Sequence, residues 1–233
     1  MQKNPEALRF REAWRALMTL RQDPDDTEAV FELIRALSGA CGRRAFQRFS
    51  ATPMGRQILE EERNLIERLR DRESLSRLPE GSLGRAYFAF TEREQIDADG
   101  LIEASETVPK NPDIPEAGRR FFERLRDMHD LEHVVTGYGR DLRGEVSVLA
   151  LDISQQWHHG IAAIVALGMV EGGADERRMI RQAWRRGRKA RWLHTADWEN
   201  LLPRPLDEVR EELGLGLPPR YEPMRSEGAP NLA

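Results

Sequence analysis

The chain predicts an all-α fold, a single multi-helix domain with a metal site between two central helices. Three observations carry that expectation. Apolar residues recur at helical spacing along most of the chain, as in Phe10, Trp14 and Leu17, or Val30, Leu33, Ile34 and Leu37. The runs are separated by Gly, Pro and Asp clusters, the chemistry of turns. Finally, His129 and His133 stand four residues apart. On a helix such a pair projects about 40° apart, which is how one helix offers two nitrogens to one ion.

Composition sets limits. The 233 residues can bury a sizeable core without staples, and 36 basic against 40 acidic residues give a net charge of −4. That balance argues against a nucleic-acid partner. The single Cys41 excludes an internal disulfide and a Cys-rich zinc site. Met1 to Leu20 has no apolar signal core and carries Glu6 and Glu12, so no presequence is expected. The longest apolar run, Ile161 to Val170, is half of the roughly 20 residues a spanning helix needs, so membrane contact would be peripheral. The expected organisation is N-terminal helices (1–77) packed on a metal-binding helical core (78–213), with a Pro/Gly-rich tail (214–233) that is extended or disordered.

In chain order, a first helix holds Phe10, Trp14 and Leu17 and stops at Asp23-Pro24-Asp25-Asp26. Thr27 is positioned to cap a second, which Gly39 and Gly42 end. Met54 to Arg72 reads as one charged surface helix with Ile58, Leu65, Ile66 and Leu69 inward. Ser82 caps a helix whose Tyr87, Phe88 and Phe90 belong to the core. Thr91 to Pro115 reads as a linker or lid, and its Asp97 and Asp99 lack the remaining spacing of a calcium loop.

Pro115 then opens a helix expected to run to Thr136. Phe122, Leu125, Arg126, His133 and Thr136 all project within about 60° of His129, and Asp130 within about 100°. Gly137 and Gly139 reverse the chain. A second long helix starts at Asp141 to Gly144 and carries Glu145, Asp152, Gln156 and His159 along one stripe. Packed antiparallel, the two helices bring Glu145 to the imidazoles. Taken singly, the residues have ordinary readings: a chance His pair, a helix-dipole Glu145, an N-cap Asp141. Two imidazoles and two carboxylates converging on a partly apolar stripe would cost several kcal/mol per buried ion unless a cation pairs them. Nitrogen and carboxylate donors suit zinc first, then iron or manganese. His158 and His194 read as structural. Ile161 to Met169 could wall an apolar groove or simply pack. Arg177 to Arg191, with Trp184 and Trp192 interleaved, reads as a solvated helix or as a face for anionic lipid headgroups.

The order His129-Asp130-x-x-His133, eleven residues, then Glu145 resembles the metal motif of the coenzyme Q (ubiquinone) biosynthesis protein 4 family. Leu78-Pro79-Glu80-Gly81-Ser82-Leu83-Gly84-Arg85-Ala86-Tyr87, Gly137-Tyr138-Gly139-x-Asp141 and Asp197-Trp198-Glu199 extend the likeness across roughly Leu78 to Pro219. The resemblance implies an all-helical protein of ubiquinone synthesis with His129, Asp130, His133 and Glu145 as ligands of zinc or a related metal. It also implies a C1 decarboxylation, coupled to hydroxylation, of a polyprenylated 4-hydroxybenzoate precursor. Beside the likeness, the helical positions themselves offer Arg126 to hold an anionic group and Asp152 or His159 to move a proton. The alternative the resemblance leaves is a non-catalytic, lipid-presenting scaffold that organises the other enzymes. A metal phosphohydrolase is a third class, for which further His and Asp spacing is missing. The partners implied are a prenyl lipid, neighbouring ubiquinone-biosynthesis enzymes, a membrane surface and further copies of the chain. The expected setting is a bacterial cytoplasm, peripheral on the inner membrane.

Overall fold

The computed structural model describes residues 6–96, 98 and 114–224. Among them there is no β-strand, only an isolated bridge between Ser82 and Pro205. The helices are α1 (Phe10–Gln22), α2 (Thr27–Ala36), α3 (Cys41–Ala51), α4 (Pro53–Glu60), α5 (Leu65–Arg70), α6 (Arg72–Arg77), α7 (Leu83–Glu94), α8 (Glu116–Asp127), α9 (His129–Thr136), α10 (Leu142–Gln155), α11 (His159–Glu171), α12 (Ala174–Lys189), α13 (Trp198–Leu201) and α14 (Leu206–Glu212).

The main core gathers α7, α9, α10 and α12 around Tyr87, Leu131, Leu151 and Trp198, all buried. A separate apolar cluster holds α1 and α2 together through Ala13, Ala16, Leu20, Ala29, Leu33 and Ala36, with Ile164 and Leu167 of α11 against it. Arg9 N–H donates to the Ala36 carbonyl at 2.9 Å, so α1 and α2 lie antiparallel. A third cluster around Phe49, Ile58 and Phe121 ties α3 and α4 to α8.

Several boundaries differ from the sequence reading. Asp26, not Thr27, caps α2, accepting from Ala29 N–H at 2.8 Å. Gly42 lies inside α3, where a Cβ would come 3.0 Å from Phe122 Cζ, so its role is close packing rather than termination. The Met54 to Arg72 segment is three helices, because Glu62 takes a left-handed φ of 50° and Asp71 caps α6. The Pro115 to Thr136 helix is interrupted at Met128. The second long helix also breaks. Gln156 and His158 are extended, and α11 restarts so that Gly160 can meet α2, where a Cβ would be 2.6 Å from Ile34 Cα. The expected Glu145-to-His159 stripe therefore does not lie on one helix. Most of the linker expected at Thr91 to Pro115 lies outside the described residues. The tail is ordered through Met224 as a strap over the α9–α10 turn, with Leu142 N–H donating to the Met224 carbonyl at 2.9 Å.

Candidate metal centre

Helix α9 is short, and its C-terminal carbonyls are all met by named partners. Arg210 donates to the Val134 and Val135 carbonyls, each at 3.0 Å, and Arg186 to the Thr136 carbonyl at 3.0 Å. Gly137 ends the helix with a φ of +76° that a side chain would disfavour. Asp141 then caps α10, accepting from Arg143 and Gly144 N–H, which puts Glu145 in the first helical turn. Gly144 has no alternative here, since a Cβ would lie 1.9 Å from the Gly139 carbonyl oxygen. The result is a tight corner with His129 and His133 on one side and Glu145 on the other.

Three atoms converge in it. His129 Nε2 lies 3.3 Å from Glu145 Oε2, His133 Nε2 3.3 Å from the same oxygen, and the two Nε2 atoms 3.2 Å from each other. A point exists about 2 Å from all three, the bond length of zinc to imidazole nitrogen and carboxylate oxygen. The donor set thus fits one small divalent cation with three protein donors. His133 is fully buried, stacks on Phe90 with ring centroids 5.9 Å apart, and meets the Tyr138 carbonyl through Nδ1 at 3.0 Å. That bond places the proton on Nδ1 and leaves the Nε2 lone pair for the cation.

Electrostatics mark the same spot. Burial would depress His129, but the Glu145 carboxylate, with Asp130 and Asp152 adding, pushes it up to about 9. Burial opposes ionisation of Glu145 too, yet the His133 charge and the bonds from both imidazoles hold it well below the usual carboxylate range. Behind them Glu132 and Asp152 hydrogen-bond to each other. Burial and the neighbouring carboxylate raise Glu132 strongly, and burial lifts Asp152 to about 6. One oxygen of each has no hydrogen-bond partner.

Of the residues singled out from sequence, His129, His133 and Glu145 come together. Asp130 is buried and lines the adjoining cavity but stands outside the three-atom convergence. Arg126 faces the cavity with its guanidinium on Asp127 at 2.7 and 2.9 Å. Asp152 lines the cavity beside Glu132. His159 is exposed at the start of α11, its Nδ1 3.0 Å from Cys41 Sγ. Sequence reasoning passed over Glu132 and Arg140, whose Nε lies 3.6 Å from Glu145 Oε1. A signal existed for Glu132, which projects about 60° from His129, as Arg126 does on the other side. Arg140 and the Tyr138 carbonyl sit in the turn, beyond the reach of helical periodicity.

The cluster opens onto a cavity of about 1830 Å³ walled by Val30, Ile34, Leu125, Val146, Ile161 and Ile164 among others. Helix α11 explains the wall. It is apolar almost all round, yet only Gly160 and Val165 are fully buried.

A family model described as coenzyme Q (ubiquinone) biosynthesis protein Coq4 matches residues 7–219. The mitochondrial ubiquinone biosynthesis protein COQ4 of Scheffersomyces stipitis is 28% identical over 79% of this chain, and that of Eremothecium gossypii 27% over 88%. The COQ4 homolog of Aedes aegypti is 31% identical over 69% of the chain. The matched regions span 58%, 63% and 58% of those relatives' own lengths. A crystal structure of a Nostoc punctiforme protein superposes with a TM-score of 0.64 at 21% identity, covering 91% of this chain and all of the other, a likeness of fold. Among the described residues no helix is long and apolar enough to cross a membrane.

Proposed function

The chain belongs to the coenzyme Q (ubiquinone) biosynthesis protein Coq4 family, and from that membership we propose that it acts in ubiquinone synthesis as a metal-dependent decarboxylase. The substrate class is a polyprenylated 4-hydroxybenzoate precursor, and loss of its C1 carboxyl is coupled to hydroxylation. The observation that supports this reading is the opening of a three-donor cluster onto one large apolar cavity. At about 1830 Å³ the cavity exceeds the roughly 300–1,000 Å³ of ordinary small-molecule sites. A long prenyl chain suits that excess, since each buried methylene contributes about 0.8 kcal/mol.

His129, His133 and Glu145, with Asp130 adjacent, would hold zinc, iron or manganese, which supplies Lewis acidity and, for the latter two, electron transfer. The rest falls to the chain's own groups. Arg140, beside Glu145 and facing the cavity, is placed to hold the substrate carboxylate, with Arg126 further along the same wall. Asp152 at about 6 is suited to take or return the proton at the oxygen that becomes the new ring hydroxyl. His159, held by Cys41, is less well placed for that step. Replacing carboxyl by hydroxyl oxidises the ring carbon by two electrons, so an external oxidant such as dioxygen is part of the proposal.

The test is carbon dioxide release from a prenylated hydroxybenzoate by metal-loaded protein. Release that disappears in His133→Ala supports the reading; an inert loaded protein, or release by the stripped protein, overturns it.

A second reading, a lipid-presenting scaffold, is favoured by the outer face of α12, where Arg178, Arg181, Arg185, Arg188 and Lys189 are exposed. In that reading the face meets a membrane surface, on the cytoplasmic side of a bacterial inner membrane, and neighbouring enzymes or copies of the chain assemble there. An inert protein that still assembles those enzymes on anionic vesicles selects it.

A further inference from the structure

We infer that the C-terminal strap, residues 218–224, clamps the metal corner through Tyr221 and so sets its affinity for a cation. The inference rests on His129, His133 and Glu145 acting as ligands, and concerns residues beyond them in the chain. The family match ends at 219, so Tyr221 and Met224 lie past it.

One hydroxyl ties both sides of the corner. Tyr221 Oη accepts from Gly139 N–H at 2.7 Å and donates to Asp141 Oδ2 at 2.6 Å. The first bond fixes the peptide that follows Tyr138, whose carbonyl receives His133 Nδ1 at 3.0 Å. The second fixes the side chain that caps α10, and the backbone of the same Asp141 accepts from Glu145 N–H at 2.9 Å. The histidine side and the glutamate side are thus referred to one atom.

Asp141 needs that help. Its capping bonds to Arg143 and Gly144 N–H are long, 3.2 and 3.4 Å, whereas the strap's bonds to it are short, 2.6 Å from Tyr221 and 2.9 Å from Met224 N–H. Asp141 is buried, so a carboxylate released from the strap would turn toward water and loosen the first turn of α10. The strap is itself anchored at both ends. Pro218 lies against Gly137, where a Cβ would be 2.3 Å from Pro218 Cβ, and Arg143 Nη1 donates to the Glu222 carbonyl at 2.7 Å. Tyr221 is a positioning residue: it touches no ligand atom, and it decides where those atoms stand.

Zinc affinity measured against a chromophoric chelator tests this, using full-length wild type, Tyr221→Phe and a core control, Val165→Ala. Tyr221→Phe keeps the ring and removes one oxygen. The expected result is a loss of about tenfold in zinc affinity with helicity unchanged, in line with what partners of metal-bound residues contribute. Val165→Ala should lose thermal stability and keep wild-type affinity. Unchanged affinity in Tyr221→Phe overturns the inference, as does an equal loss in Val165→Ala, which would mean general loosening. Wild-type protein that takes up no zinc ends the metal reading and this inference together, whereas wild-type binding with an indifferent Tyr221→Phe ends only the strap.

Discussion

The cavity has two unlike walls. On one side is the α9–α10 corner, where backbone carbonyls, a helix cap and a buried histidine are each held by a specific polar partner. On the other are α1 and α2, held by a cluster that is mostly alanine and by half-exposed ion pairs such as Arg35 with Glu12 at 3.2 Å. The corner is held by directional bonds and tolerates little. The opposite wall is held by small apolar contacts that can slide. On the function proposed above, which asks the site to keep three donor atoms in place and to admit a bulky, flexible molecule, one wall of each kind is what is wanted.

The largest effect should come from His133→Ala, which removes a fully buried donor from the corner. Cation retained through gel filtration, read by elemental analysis, should fall from about one per chain to none. Replacing His159 instead, on the α11 side, should leave it unchanged; equal losses would break the comparison.

The corner and the buried histidines away from it should also answer pH in opposite senses. His194, buried, and His158, which caps α11 beside α2, are pushed down by burial to about 3 and about 4. Unfolded histidine takes a proton near 6.5 while the folded chain resists. Stability is therefore intact above pH 6.5 and falls on acidification, by about 1.4 kcal/mol per pH unit for each histidine. His129, raised to about 9 in the absence of cation, does the reverse. Its contribution is full below pH 6.5 and is lost as pH rises through 9. Urea unfolding of chelator-treated protein from pH 4.5 to 9.5 should show both limbs. His194→Gln should flatten the acidic one and His129→Gln the alkaline one.

A matched pair of arginines sharpens the contrast. Arg210→Met leaves the Val134 and Val135 carbonyls without their donor and should cost about 2–3 kcal/mol in urea unfolding. Arg35→Met breaks a more exposed pair and should cost less than about 1 kcal/mol. At the small end, Trp14→Ser on the outer face of α1, where the ring is 63% exposed, should stay within about 0.5 kcal/mol of wild type.

What sequence made legible follows the same division. His129, His133 and Glu145 announce themselves because helix spacing and one glycine turn suffice to bring them together. Ser82 and Asp141 announce their caps for the same local reason. The Tyr138 carbonyl leaves no mark, since every residue has one. The break at Gln156 to His158 has no Pro or Gly within it, and is set by how close α11 must come to the Ile34 backbone. The tail reads as extended or disordered from its prolines, and only the folded corner gives Tyr221 something to bond. Local chemistry predicts what neighbours in sequence do; the seams between distant segments answer to packing.

The pinch between Gly144 and the Gly139 carbonyl carries one last consequence. That turn leaves the backbone of Glu145 no room to move outward, so the carboxylate starts from a fixed point beside the imidazoles. On the metal reading proposed above, ions that bond near 2.0–2.1 Å would suit the gap among the donors, and calcium, which wants about 2.3–2.6 Å and more oxygen neighbours, would not. Discrimination by ionic radius would then rest on two residues that have no side chains at all.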